Sequence, residues 1–223
     1  MGVTAQGTLL LVRSTGVDLL ELRTLGTLSL RGPEGREFDS VLSQTKRVAV
    51  LVYLAVAAPR GFHRRDKLVA LFWPELDQEH ARAALRRALS FLRGELGEAS
   101  LNGRGVEEVG LSPLAWSCDA VAFEELVVAA RFEEALRLYR GEFLDGFHLP
   151  GCAEFDHWLA GERARFRQLA TRAAWTLAER AGAAGNAVEA AHWGRQAIAF
   201  SPVDEAGVRR LIGLDLLERP VDA

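Results

Sequence analysis

The segment from His63 to Gly97, HRRDKLVALFWPELDQEHARAALRRALSFLRGELG, restricts what this chain can fold into more than any other part of it. Its pattern predicts two helices joined by a short elbow. The first covers roughly 64–72, with Leu68, Leu71 and Phe72 turned inward. Trp73-Pro74 ends it, because proline has no N–H to give and disfavours helical geometry in the residue before it. Asp77 is suited to cap a second helix that runs to about Leu96 and closes at Gly97. At about 100° per residue, Ala81, Leu85, Ala88, Leu89, Leu92 and Leu96 share one face of that helix. Arg82, Ala83, Arg86, Arg87, Ser90 and Arg93 occupy the other half. Guanidinium forks match phosphate and guanine edges, and small residues let a helix approach a duplex closely. The same face would equally serve an ordinary amphipathic helix in water, so the neighbouring segments decide between the two.

Before this segment, Leu19 to Leu30 alternates apolar and polar residues around Gly26, as half-buried strands do. Residues 31–37 form a Gly/Pro turn, and Phe38 to Leu42 is expected to be a third short strand of a small antiparallel sheet. Residues 1–18 are expected to be a loose leader. Ser43 or Thr45 can cap a helix over 45–58 that Pro59 closes, with Val48, Leu51, Leu54 and Ala55 at helical spacing. After Gly97, Asn102-Gly103 is a strong hairpin signal, since both residues tolerate positive φ. The expected strands are near 99–101 and 106–111, with Arg104 at the tip. A sheet, three helices and a β-hairpin in that order describe a winged helix over 19–116, in which the third helix enters the major groove.

From Asp119 onward the pattern is all helical, which makes the chain mainly α. Helices are expected over DAVAFEELVVAA, over RFEEALRLYRGEF, from about Glu154 to Ala181, from Asn186 to Phe200 and from Asp204 to Leu217, with a Gly/Pro loop over 143–152. RFEEALRLYRG and NAVEAAHWGRQ share a pattern that pairs Phe132 with Ala187, Glu134 with Glu189 and Ala135 with Ala190. Small residues at such crossings point to a tetratricopeptide-like domain over 117–223. The last helix is expected to lack a partner within the chain, as in the front of a longer protein or a unit completed by dimerisation. Charge follows the same division. Residues 1–112 carry 15 basic and 13 acidic side chains, residues 113–223 carry 12 and 17, and between Arg60 and Arg93 there are 8 basic against 4 acidic. A basic front joined to an acidic back suits a nucleic-acid module coupled to something else.

Several functional classes find no support in the residues. Cys118 and Cys152 form neither a disulfide framework nor a metal-ligand spacing, and read as small packing residues of a reduced, cytoplasmic protein. His63, His80, His148, His157 and His192 are scattered, so no metal site is expected. No signal peptide or apolar run of membrane-spanning length occurs. The group His148, Cys152, Asp156 and His157 lacks an oxyanion loop or an activated nucleophile, so it reads as loop packing and the chain as no enzyme. No G-x-x-x-x-G-K-[ST] is present, and no cofactor is expected.

LRTLGTLSL followed by TKRVAVLVYLAVAAPRGFHRRDKLVALFWPELDQEHARAALRRALSFLRGELG resembles the DNA-binding half of the SARP-type bacterial antibiotic-regulatory activators. CDAVAFEEL, ALRLYRGEFLDGFHLP and EFDHWLAGERARF resemble the bacterial transcriptional activator domain that accompanies it, and this second string is the more specific. The resemblance covers about residues 20–217. It implies a DNA-binding transcriptional activator, acting as a dimer on double-stranded DNA and touching RNA polymerase. The DNA-binding candidates are Arg64, Arg65, Lys67, Gln78, Arg82, Ala83, Arg86, Arg87, Ser90, Arg93 and Arg104. Trp73, Pro74, Glu75 and Leu76 match the loop that related winged helices use to contact polymerase. His63 stands where the family often has a Ser or Thr cap, and Glu107 and Glu108 make the hairpin acidic. These departures favour the alternative, a protein–protein scaffold whose winged helix is degenerate.

Overall fold

The computed structural model describes residues 19–201 and 205–218; the expected leader lies outside the described residues. Leu20–Arg23 (β1) and Ser29–Arg31 (β2) pair antiparallel, with Leu22 opposite Leu30 and both fully buried. The turn between them uses Gly26 at φ 96°. The third strand of this sheet is not the expected 38–42 segment. It is Trp116–Cys118 (β6), which runs parallel to β1 with Cys118 opposite Leu22. Asp39–Leu42 instead forms a single helical turn, α1. Phe38 and Val41 are buried while Asp39 and Ser40 are exposed, which is the three-residue spacing of a helix and not the alternation of a strand.

Thr45–Val56 (α2) runs through the centre of the front half and is buried from Val48 to Leu54. Neither Ser43 nor Thr45 caps it; Gln44 occupies the cap position without a side-chain bond. Arg65–Phe72 (α3) and Gln78–Leu96 (α4) follow as the periodicity requires. Trp73 closes α3, and the Asp77 carboxylate accepts hydrogen bonds from the Glu79 and His80 amides at 3.1 and 3.0 Å. The buried face of α4 consists of Ala81, Ala84, Leu85, Ala88, Leu89, Leu92 and Leu96. Each fully buried leucine there contributes about 1.5–3 kcal/mol relative to exposure. That burial, and not intrinsic propensity, fixes which side of α4 remains for solvent.

A second three-stranded sheet has the order β3-β5-β4, from His63–Arg64 (β3), Leu101–Arg104 (β4) and Glu108–Leu111 (β5). Asn102-Gly103 therefore lies within β4 and does not make the turn. The turn is residues 105–107, with Gly105 at φ 61°. Register decides this. Leu101 opposes Leu111, and Val109, fully buried, opposes both Gly103 and His63. A two-residue turn at 102–103 would set Leu101 against Arg104 and strand Val109 outside the ladder. Gly110 is required by proximity, since a Cβ there would come within 2.4 Å of the Gly61 carbonyl oxygen. His63 is a strand residue, buried, with its ring tilted against Tyr53 at a centroid distance of 5.3 Å. The cap position of α3 falls to Arg64, with no side-chain cap bond.

The back half comprises Asp119–Val128 (α5), Phe132–Leu138 (α6), Ala153–Ala183 (α7), Ala187–Phe200 (α8) and Glu205–Glu218 (α9). α6 and α8 both pack on α7, and α9 lies along α8, so the last helix has a neighbour after all. Ala135 and Ala190, matched in the repeat, are both fully buried. The loop before α7 is held by Arg163, whose guanidinium donates to the carbonyls of Phe143 (3.0 Å), Leu144 and Phe147 (3.0 Å).

The two halves share one continuous core. Phe72 meets Phe155 at 5.3 Å and Tyr53 meets Trp158 at 4.8 Å. At the junction one carboxylate gathers three of the polar contacts between the halves, beside the Gly26 amide on the Glu142 carbonyl (3.0 Å), the Leu144 amide on the Thr24 carbonyl (2.7 Å) and the Arg60–Glu124 ion pair. Asp119 accepts from the Thr24 amide and hydroxyl, the Leu25 amide and its own neighbour Ala120, at 2.7, 2.9, 3.0 and 2.8 Å. Beside it, burial and then the charge of Asp119 push the Cys118 thiol up to about 11, and Cys152 is buried, as expected of packing residues. No helix among the described residues is long and apolar enough to cross a membrane.

Candidate nucleic-acid interface

α4 presents its outer side to solvent with a definite division of labour. Ala83, Ser90 and Gly94 lie on the crest of the helix, opposite the buried leucines. Nothing lies within 4 Å of a Cβ placed on Gly94. Arg82, Arg86 and Arg93 form one flank and Arg87 the other. The first flank and the hairpin enclose a concavity of about 550 Å³, lined by Arg65, Asp66, Arg82, Arg86, Arg93 and the hairpin tip among others. The second flank meets the start of α2 across a smaller concavity of about 280 Å³ that includes Arg87, Lys46 and Arg47.

Electrostatics separate the candidates. Arg82 is committed to Asp66, with contacts at 3.0 and 3.3 Å. Arg104 is not at the tip: it ends β4, pairs with Glu108 across the strands and lies over the Phe62 ring at 5.0 Å. The hydrogen bond from Arg104, with further help from Arg64, holds the Glu108 carboxyl below its ordinary range, so one of the hairpin's two acids is answered from within. Arg93 has only Glu98, at 4.0 Å. Arg86 and Arg87, both exposed, have no ion-pair partner among the described residues. Arg64, Lys67 and Gln78 are exposed, Lys67 lying 5.7 Å from the Tyr53 ring centroid. Arg65 is half-buried: its amide donates to the Glu107 carbonyl at 2.8 Å, while its Nε is buried without a partner. Burial, and then the charge of Arg93, draw its pKa below the ordinary arginine value.

Residues the sequence patterns did not single out also belong to this surface. Lys46 and Arg47 open α2, Lys46 pairing with Glu75 at 3.1 Å and Arg47 lying 3.9 Å from the Phe91 ring centroid. Val106, 83% exposed, is the true tip of the hairpin. The Lys-Arg pair ahead of an apolar run was a readable signal; the tip was not, because it depends on register. In the elbow, Pro74, Glu75 and Leu76 are exposed. Trp73 is not available there, being buried against Phe72, so it belongs to the core. Among the described residues no group of His, Cys, Asp and Glu could hold a metal ion.

Comparison with known families bears on the other half of the molecule. Residues 118–220 match the family model described as Bacterial transcriptional activator domain. The match begins at the last residue of β6, so the activator-like region starts inside the front sheet and not after it. It takes in the Asp119 junction, the loop held by Arg163 and all of α5 to α9. A search of curated proteins gave no match to the chain.

Proposed function

We propose that this chain is a sequence-specific DNA-binding transcriptional regulator, whose residues 19–116 act as a winged helix and whose activator-like helices carry self-association or signal input. The carrying observation is the exposed crest of α4, small along its middle and flanked by Arg86 and Arg87, which have no ion-pair partner among the described residues. Such a surface admits close approach to a major groove and supplies phosphate and guanine donors without first breaking ion pairs. The hairpin alongside α4 supplies the second contact of a winged helix, and the start of α2 with Lys46 and Arg47 supplies a third. The exposed elbow residues Pro74, Glu75 and Leu76 are the surface proposed to touch RNA polymerase once the crest is occupied by DNA. Two chains are proposed to bind together on double-stranded DNA.

Selection of bound fragments from a random duplex pool, followed by gel-shift titration, tests this reading. Neutralising about four to six phosphates gives a log–log salt slope of roughly −4 to −5. Arg86→Ala and Arg87→Ala are each expected to reduce that slope by about 1 if they hold phosphate, or to relax one base position if they read an edge. A second reading, a protein scaffold with a degenerate winged helix, draws on the internal pairing of Arg82 and Arg104. Failure of the pool to enrich, with a protein partner retained after Arg86 and Arg87 are neutralised, favours the scaffold.

A further inference from the structure

The concavity between α4 and the hairpin contains more positive charge than its own acids answer. Four guanidinium groups, those of Arg65, Arg82, Arg86 and Arg93, line it against Asp66 and Glu107. Asp66 is engaged by Arg82 at 3.0 Å. Glu107 gives its carbonyl to the Arg65 amide, and its carboxylate acts on the Arg65 guanidinium without an ion pair within 4 Å among the described residues. Arg93 reaches Glu98 only at 4.0 Å, and Arg86 reaches no acid among the described residues. The Arg65 Nε is buried with no hydrogen-bond partner among the described residues. Burying part of a charged group without a partner is costly, and the same guanidinium lines the concavity, where a ligand's oxygens can answer its charge. Leu85, Leu89 and Val106 form the apolar part of the lining, and such a lining strengthens any ionic contact made there.

We propose that this pocket is a discrete phosphate-binding site, in which Arg65 and Arg93 clamp one phosphate group from within and Arg86 closes on it from the rim. Planar guanidinium forks match pairs of phosphate oxygens, which a lysine-lined pocket would not. The phosphate comes either from a duplex backbone or from a free phosphate compound. The first source rests on the DNA-binding reading above, and the second does not. In the first case Arg65 positions the duplex and reads no base.

Calorimetric titration of the full chain with inorganic pyrophosphate at low salt tests the site. One saturable site is expected. Arg65→Gln and Arg93→Gln are each expected to weaken it by about tenfold or more, the effect of one charge-assisted contact. Arg87→Gln, on the opposite flank, is expected to leave pyrophosphate affinity unchanged while weakening the duplex. Thermal melts of Arg65→Gln are expected to show a loss below about 1 kcal/mol, since the Arg65 Nε has no hydrogen-bond partner among the described residues and Glu107 acts on the guanidinium without an ion pair. No saturation, or equal losses from Arg65→Gln and Arg87→Gln, overturns the pocket in favour of diffuse positive charge. Gel shifts separate the two ideas. Duplex binding without pyrophosphate binding rejects the pocket alone, and pyrophosphate binding without any duplex binding rejects the DNA reading alone. If both bind, displacement of pyrophosphate by duplex assigns the phosphate to the backbone, and joint occupancy assigns it to a free compound.

Discussion

Replacing Asp119 by alanine would remove the acceptor on which the junction of the two halves converges. The carboxylate takes the amides of Thr24 and Leu25, which are 0% and 2% exposed, together with the Thr24 hydroxyl and the first-turn amide of Ala120. A buried donor left without a partner costs about 1–3 kcal/mol, and an acid in the first turn of a helix adds about 0.3–1 kcal/mol. With two buried amides orphaned and water reaching the half-exposed side, Asp119→Ala should lose about 3–5 kcal/mol. For a chain of this size that corresponds to a fall in melting temperature of roughly 10 °C. Asp119→Asn keeps an oxygen for Thr24 and Ala120 but turns an NH₂ toward the Leu25 amide, so it should lose only about 1–3 kcal/mol. Urea unfolding followed by both far-ultraviolet circular dichroism and tryptophan fluorescence measures this, and coincidence of the two probes checks that the halves unfold together. A loss below about 1 kcal/mol for the alanine variant, or equal losses for alanine and asparagine, would refute the assignment of Asp119 as the joining acceptor.

Further outcomes follow from the same structure. Gly110→Ala places a Cβ 2.4 Å from the Gly61 oxygen; it should cost about 1–3 kcal/mol by overpacking and raise amide exchange at Val109, and unchanged exchange there would contradict the register. Asp77→Ala should cost about 1 kcal/mol through loss of the α4 cap, visible as fraying of Glu79 and His80 by NMR. Burial, and then the charge of Lys67, lower the His63 pKa below 6.5. The unfolded chain therefore takes up a proton that the folded one resists, and stability falls as pH drops below about 6.5 toward the folded value, with no contribution from this group at higher pH. His63→Gln should flatten that acid limb of the urea midpoint, and an unaltered limb would show that another group is responsible. Together with the losses expected for Arg86→Ala and Arg87→Ala on duplex binding, these separate the fold from its proposed use.

How far the sequence carries depends on the range of the physics involved. The elbow, the Asp77 cap, the Gly97 stop and the two-faced character of α4 were legible, because capping and helical periodicity act within a few residues. The helices of the back half were legible for the same reason, to within a few residues at each end, except that α6 stops at Leu138 and does not continue to Phe143. The spacing of Phe38, Val41 and Leu42 is itself a helical signal, although so short an apolar segment beside a sheet also fits a strand.

What the local pattern could not contain is set by partners distant along the chain. β6 completes the first sheet because Leu22 and Cys118, nearly a hundred residues apart, share an edge. The hairpin turns at 105–107 and not at Asn102-Gly103 because Val109 must be buried against β3. The availability of each arginine was likewise undecided in the sequence. Arg82 and Arg86 stand one turn apart on the same helix, yet Asp66 on α3 engages the first and no acid among the described residues engages the second. Periodicity places a charged group on a face. Only the packing of another element beside that face determines whether the charge is answered from within or left for a partner.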